Sequence, residues 1–270
     1  MTAFKEWRDA EPGDFAVIGD PIGHSLSPRM HQAAYEALGL PYRYVALRVP
    51  SGEVAQCLST LAALGYKGVN VTVPHKEETF RAMHSVEPFA GLIGAVNTVK
   101  LPEMRGTNTD GPGFMDTLAD LELPGPPQVL VLGAGGSALA VVAALAGAGY
   151  KIRLYNRTQA RAESLVARLG AKVEILPDAD PADCDLLVNT TSAGLKGEQL
   201  PILWARVKPT AVAYDLVYGR KPTPFLRSAS DCGLRTMDGL PLLVAQGARS
   251  IEWWLGVKAP QRTMLENLKW

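Results

Sequence analysis

The stretch Val129-Leu-Val-Leu-Gly-Ala-Gly-Gly-Ser-Ala138 constrains this chain more than any other. An apolar Val/Leu run feeds a glycine-rich turn, and the turn opens a helix rich in Ala, Val and Leu. A strand, a turn with open backbone N–H groups and a positively polarised helix N-terminus together make a seat for a pyrophosphate. Gly133, Ala134, Gly135, Gly136 and Ser137 are the candidate contacts. Such a unit belongs to α/β folds built on parallel strands.

The following strand, expected over 151–155, selects the nucleotide. A carboxylate at its end would accept a hydrogen bond from a ribose 2′-hydroxyl and repel a 2′-phosphate. This chain instead has Asn156-Arg157-Thr158, with Arg161 one helical turn further on. A guanidinium pair can hold a 2′-phosphate through charge-assisted hydrogen bonds, whereas a merely solvated helix start would need no such spacing. The chain reads as an NADP(H) binder through Asn156, Arg157, Thr158 and Arg161.

Strand and helix patterns alternate on both sides of this unit. Strands are expected at 15–18, 42–47, 68–73, 94–100 and 105–109, with helices at 28–38, 52–64 and 113–121. Further strands are expected at 129–132, 173–176, 186–189 and 211–215, in the rhythm of right-handed βαβ crossovers. The Pro-rich break Leu123-Pro-Gly-Pro-Pro127 separates two regions. Residues 1–110 plus 241–270 form an N-terminal α/β substrate domain with a C-terminal helical return, and 111–240 form a Rossmann-type NADP-binding domain. Trp253, Trp254 and Trp270 in the return are assigned to core packing.

Composition narrows the partners. Lys plus Arg and Asp plus Glu each number 27, so no field favours nucleic acid or an anionic membrane. Cys57, Cys184 and Cys232 lack metal-ligand or disulfide spacing, and no metal is expected. The first residues have no apolar core of a secretory leader, which leads to an expected cytoplasmic location. A small-molecule substrate and a monomer or homodimer complete the expectation.

The first region holds Gly19-Asp-Pro-Ile-Gly-His-Ser-Leu-Ser-Pro-Arg-Met-His31. If the chain is extended there, Ser25 and Ser27 point to one side. Pro28 then takes the first helical position and Ser27 caps the helix. Two hydroxyls beside a helix N-terminus also seat a small carboxylate. Asn70-Val-Thr-Val-Pro-His-Lys76 places Thr72 and Lys76 around a strand end, where α/β sheets collect ligands. Asp110 in Gly106-Thr-Asn-Thr-Asp-Gly111 is the carboxylate that can pair with Lys76 for acid/base work, or else an ordinary solvated turn residue. Gly94-Ala-Val-Asn97-Thr98 contributes an amide from a third strand end.

Together these motifs resemble one family. Gly-x-Pro-Ile-x-His-Ser-x-Ser-Pro, Asn-Val-Thr-Val-Pro-x-Lys, Gly-Ala-Val-Asn-Thr, Gly-x-Asn-Thr-Asp-Gly, Gly-Ala-Gly-Gly and Asn-Arg-Thr occur in the order seen in shikimate dehydrogenases, from about residue 15 to 255. Asn189-Thr-Thr-Ser, Tyr214-Asp-Leu-Val-Tyr218 and Gly239-Leu-Pro-Leu-Leu-Val-Ala-Gln246 continue it. The resemblance implies reversible NADPH-dependent reduction of 3-dehydroshikimate to shikimate, in the route to chorismate and the aromatic amino acids. It implies a carboxylate seat at Ser25 and Ser27, and hydroxyl or ring contacts from Thr72, Asn97, Asp110, Tyr218 and Gln246. Lys76 becomes the acid/base paired with Asp110, and Leu216 and Gly239 lie near the nicotinamide.

The chain departs from the family pattern at three places. Gln32 follows His31 where Asn is common, Leu139 stands where an Arg often follows the glycine turn, and Glu87-Pro88 replaces an acidic residue ahead of the Gly-Ala-Val-Asn segment. None touches Lys76 or Asp110. Two alternatives remain: a quinate/shikimate dehydrogenase with relaxed substrate and cofactor use, and a non-catalytic metabolite sensor on the same fold.

Overall fold

A computed structural model describes residues 4–194 and 197–268. The chain divides into two compact units, one of 1–109 with 243–270 and the other of 110–242. Trp270 lies outside the described residues.

The first unit runs β1 (Lys5–Glu6), β2 (Phe15–Gly19), α1 (Ser27–Ala37), β3 (Tyr44–Arg48), α2 (Val54–Ala63), β4 (Gly68–Val71), α3 (Lys76–Ala82), β5 (Ser85–Val86), α4 (Pro88–Ile93), β6 (Thr98–Lys100) and β7 (Arg105–Thr107). Its seven strands form one mixed sheet in the order β1-β3-β2-β4-β6-β7-β5. β1, β3, β2 and β4 run parallel, while β6 runs antiparallel to both β4 and β7. Every residue of β2 and β4 is buried, as expected for central strands covered on both faces. Ile18, Val69, Val71 and Val99 pack with Val54, Leu58 and Leu61 of α2 into one core. Burial of each such side chain contributes about 1.5–3 kcal/mol.

The antiparallel turn of β6 has a consequence for the site. The carboxyl end of β4 lies beside the amino end of β6, with Asn70 opposite Thr98. Residues 94–97 were expected to be strand but are not. Gly94 adopts a left-handed φ of 58° and ends α4, so β6 begins only at Thr98. At six residues, α4 is too short to show a helical period in the sequence.

The second unit runs α5 (Asp110–Leu118), β8 (Gln128–Leu132), α6 (Gly136–Gly147), β9 (Lys151–Tyr155), α7 (Gln159–Leu169), β10 (Val173–Ile175), β11 (Leu186–Asn189), β12 (Val212–Asp215), α8 (Pro224–Asp231) and β13 (Arg235–Met237). Six parallel strands lie in the order β10-β9-β8-β11-β12-β13. The order reverses between β8 and β11, the switch point where such sheets bind dinucleotides. Seven consecutive or near-consecutive apolar residues of α6, Ala138 to Val142 among them, are buried, so this helix is apolar nearly all round. Leu139 is one of them, so the position after the glycine turn is used for packing. Phe114 of α5 stacks on Tyr214 of β12, with centroids 5.4 Å apart.

Helix α9 (Leu240–Leu255) and α10 (Gln261–Glu266) form the helical return. From residue 243 the chain belongs to the first unit. Trp254 donates from Nε1 to the Val99 carbonyl at 2.9 Å. A Cβ at Gly68 would stand 2.4 Å from that same Nε1, so β4 needs glycine there for the indole to dock. Trp254 is buried, whereas Trp253 is half-buried with Lys100 over its ring at 5.1 Å.

Candidate active site

In the first unit, three sequence motifs converge on one end of the sheet. Asp20 N–H donates to the Val73 carbonyl at 3.1 Å, and the Thr72 N–H donates to Ile18 at 2.9 Å. An added Cβ on Gly19 would meet Thr72 Cγ2 at 2.5 Å, so the threonine side chain lies directly over that glycine. The Ser-rich turn after β2 and the Thr72–Lys76 segment after β4 are therefore neighbours. Lys76 opens α3, and its carbonyl accepts the Val96 N–H at 2.9 Å, which brings the Asn97 segment alongside.

The Ser-rich turn differs from the expected extended form. Leu26 has helical dihedrals (φ −88°, ψ −5°), α1 begins at Ser27, and no side chain caps it. Ser25 Oγ accepts the Ser27 N–H at 3.3 Å, and Ser27 is the first residue of the helix rather than its cap. Ser27 itself is buried within the first turn.

Asn97 is 2% exposed and heavily engaged. Its Oδ1 accepts from the Thr109 N–H (2.8 Å), Thr98 Oγ1 (3.0 Å) and Thr109 Oγ1 (3.2 Å), while Nδ2 donates to Thr109 Oγ1 (3.0 Å). This ties the strand end to the residue just before Asp110. Asp110 is the first residue of α5 rather than a loop residue. Gln246 lies on α9, where its Nε2 donates to the Leu243 carbonyl at 2.7 Å and its carbonyl accepts from Ser250 Oγ at 3.0 Å. The next residue, Gly247, packs against α1: a Cβ there would meet Met30 Cε at 2.3 Å.

Beneath these groups lies a buried polar cluster that sequence reasoning did not assign. Asn70 accepts from the Tyr44 hydroxyl (2.7 Å) and donates to Thr98 Oγ1 (3.0 Å), Ser250 Oγ (2.9 Å) and the Asn97 carbonyl (3.3 Å). An amide inside the apolar pattern of β4 was its one visible signal. His31 was quoted only as part of a motif. Its ring is fully buried, stacks on Tyr44 with centroids 4.1 Å apart, and has no hydrogen-bond partner at either nitrogen among the described residues. Burial pushes its pKa down to about 3.

In the second unit the glycine turn sits at the switch point. Gly133 has φ 110°, and a Cβ there would lie 2.7 Å from both Thr190 Oγ1 and Thr191 Cγ2 at the end of β11. Only glycine fits that approach. Gly135 and Gly136, by contrast, have nothing within 4 Å of an added Cβ, which leaves an open cradle at the start of α6. Gly133 N–H donates to the Tyr155 carbonyl at 2.8 Å, so the Asn156–Arg161 segment stands next to the turn. Asn156 Nδ2 donates to the Thr158 carbonyl at 2.7 Å, which shapes the entry to α7. The side chains of Arg157 and Arg161 are exposed, and neither enters an ion pair with the described residues. An open glycine cradle beside two such guanidinium groups fits the pyrophosphate and 2′-phosphate of NADP.

Leu216 and Gly239 are also brought together. A Cβ on Gly239 would fall 2.1 Å from the Leu216 carbonyl oxygen, so the turns after β12 and β13 are in direct backbone contact. Tyr218 is half-buried in the first of these turns. Asp238 and Asp215 nearby both have raised pKa values, and burial is the main cause of each. Among the described residues no cluster of His, Cys, Asp or Glu is placed to hold a metal ion, and no helix is long and apolar enough to cross a membrane.

The doubly wound sheet and its switch-point cradle define an α/β protein of the dinucleotide-binding class. Three sequence profiles match it: the shikimate dehydrogenase substrate binding domain over residues 17–99, shikimate/quinate 5-dehydrogenase over 121–195, and the shikimate 5′-dehydrogenase C-terminal domain over 239–269. The shikimate dehydrogenase (NADP(+)) of Desulfitobacterium hafniense is 41% identical over 263 residues, covering 94% of this chain and 96% of that protein. The Geobacter sulfurreducens enzyme of the same name is 42% identical over 266 residues, covering 92% and 93%. The crystal structure of Thermus thermophilus shikimate 5-dehydrogenase in complex with NADP(H) and shikimate superposes with a TM-score of 0.87 at 37% identity, covering 98% of each chain. The chain belongs to the shikimate dehydrogenase family of oxidoreductases.

Proposed function

We propose that this protein interconverts 3-dehydroshikimate and shikimate using NADP(H), as a cytoplasmic monomer or homodimer. The observation that carries the reading is the open Gly135–Gly136 cradle with exposed Arg157 and Arg161 beside it. Family membership and a neighbour solved with both ligands support it.

Residues 1–110 with the helical return take the substrate. Ser25 and Ser27 hold its carboxylate, and Thr72, Asn97, Asp110, Tyr218 and Gln246 hold its hydroxyls and ring. Residues 111–240 take the cofactor, with Gly133, Ala134, Gly135, Gly136 and Ser137 at the pyrophosphate. Asn156, Arg157, Thr158 and Arg161 surround the 2′-phosphate, and Leu216 and Gly239 adjoin the nicotinamide. When bound, NADP accepts a hydride from shikimate and NADPH returns one to the ketone. Lys76 moves the accompanying proton to or from the substrate oxygen and places positive charge where negative charge develops. Asp110 orients Lys76 toward that oxygen. A site built from neutral hydroxyl partners rejects acids that lack a matching hydroxyl, because its polar groups are then left unpaired.

Initial rates followed by nicotinamide absorbance, with shikimate and quinate each paired with NADP and NAD, test this. Turnover confined largely to shikimate with NADP is expected. Comparable rates with quinate or NAD would assign a quinate/shikimate dehydrogenase, and NADP binding without any turnover would assign a metabolite sensor.

A further inference from the structure

The strand β12 ends in a carboxylate that neither the fold nor the mechanism above requires. Asp215 is 0% exposed, and no cation pairs with it among the described residues. Burying an unpaired carboxylate is costly, and an apolar strand end would avoid the cost. The carboxylate is retained here with three donors aimed at it. Oδ1 accepts from Asn189 Nδ2 at 2.9 Å and from the Val217 N–H at 3.0 Å, and Oδ2 accepts from Thr223 Oγ1 at 2.6 Å.

Each donor belongs to a different piece of the switch-point edge. Asn189 ends β11, and its Oδ1 accepts from both the N–H (3.0 Å) and Oγ1 (2.7 Å) of Thr191, the residue that closes over Gly133. Thr223 precedes α8, and its Oγ1 accepts the Leu226 N–H at 3.3 Å as the helix cap. Val217 lies in the turn between Leu216 and Tyr218. Leu216 N–H is held by the Asn189 carbonyl at 3.0 Å, and Val217 carbonyl receives the Gly239 N–H at 3.1 Å. The turn 216–218 is thus fixed from below by Asp215 and from the side by Gly239.

We propose that Asp215 is a positioning residue, holding the 216–218 turn where Leu216 and Tyr218 meet the nicotinamide half of the cofactor and the substrate. The inference rests on the proposed function for the identity of those ligands. A carboxylate suits the task because its two oxygens accept three donors without contributing a hydrogen. In D215N one donor must face an NH₂ group, so the turn loses one anchor while the shape of the site is kept.

The test separates the two halves of the cofactor. The probe 2′,5′-ADP carries the 2′-phosphate and adenosine but no nicotinamide, so it reads only the cradle and Arg157/Arg161. For D215N we expect kcat to fall and the KM for NADP to rise, each about tenfold, while the 2′,5′-ADP dissociation constant stays within about twofold, because misplacing one contact weakens only what that contact orders. T223V should show the same split and T223S should restore it, which decides the matter if D215N does not fold. Unchanged kinetics in D215N and T223V would overturn the inference and leave the proposed function standing. Parallel loss of 2′,5′-ADP and NADP binding in both variants would overturn it too, by showing a merely structural role. Failure of the wild-type protein to bind 2′,5′-ADP or to turn over shikimate would instead remove the reading of the site on which it rests.

Discussion

His31 makes the first unit acid-sensitive in a way that one substitution should abolish. The ring is fully buried among Tyr44, Tyr35 and Trp254, with no hydrogen-bond partner for either nitrogen among the described residues. It therefore folds neutral, and burial lowers its pKa from 6.5 to about 3. The unfolded chain takes up a proton as pH falls through 6.5, and the folded chain does not follow until about 3. Stability from this residue is thus complete above pH 6.5 and drains away as pH falls through that window, at about 1.4 kcal/mol per pH unit. Between pH 7.5 and 5 the loss comes to about 2 kcal/mol. His31→Leu removes the titration without breaking any hydrogen bond to the described residues. Urea unfolding of both proteins at the two pH values, followed by circular dichroism with equal slopes, gives the double difference directly. Wild type should lose about 2 kcal/mol more than His31→Leu on going to pH 5. A difference below about 0.5 kcal/mol would refute the reasoning, because it would mean that the ring is paired or hydrated in solution.

Other perturbations address the site itself. Lys76→Ala should lower kcat about 10²–10⁴-fold with little change in the KM for shikimate, whereas a rise in KM alone would reassign Lys76 to binding. Arg157→Ala should raise the KM for NADP about 10–100-fold and leave that for NAD unchanged, so a uniform loss with both would dissociate this guanidinium from the 2′-phosphate. Gly239→Ala drives a Cβ to 2.1 Å from the Leu216 carbonyl oxygen and should lower Tm. Gly135→Ala meets nothing within 4 Å and should leave Tm unchanged while weakening NADP binding, which isothermal titration would show.

The sequence exposed the second unit more fully than the first, and periodicity explains the difference. Leu186–Asn189 stood where expected because a strand buried on both faces reads as an apolar run, and Lys151–Tyr155 because its buried Ile152 and Leu154 alternate with more exposed residues. In the first unit, β1, β5 and α4 span two, two and six residues, too few for any period to register. The strand expected at 94–100 shows how pattern misleads. Ala95 and Val96 are apolar because they are buried at a turn, not because they extend a strand, and the left-handed Gly94 decides the backbone. Ser27 was expected to cap α1 because its position before Pro28 suits a cap. The helix instead starts one residue earlier, with Leu26 at the cap position and Ser27 as its first residue, and nothing in the local sequence marks that shift.

What lay beyond reach of the sequence was the polar scaffolding under the site. Asn70 meets Ser250, 180 positions away, and Asn189 meets Asp215 only because β11 and β12 are neighbours in register. Local propensity treats such residues as weak points in a strand. In the folded chain each ends or interrupts a buried strand at the edge that carries the candidate ligand contacts, and each has its hydrogen-bonding capacity met by groups from distant segments. Buried polar groups satisfied in this way fix one arrangement, because any shift leaves several of them unpaired at once. Apolar packing alone would hold β4 and β12 in the sheet, but it tolerates small displacements at strand ends. The amides and the carboxylate remove that tolerance where Asn97, Leu216 and Tyr218 must be held still. Polar residues that look like faults in apolar strands thus set the precision of each candidate site.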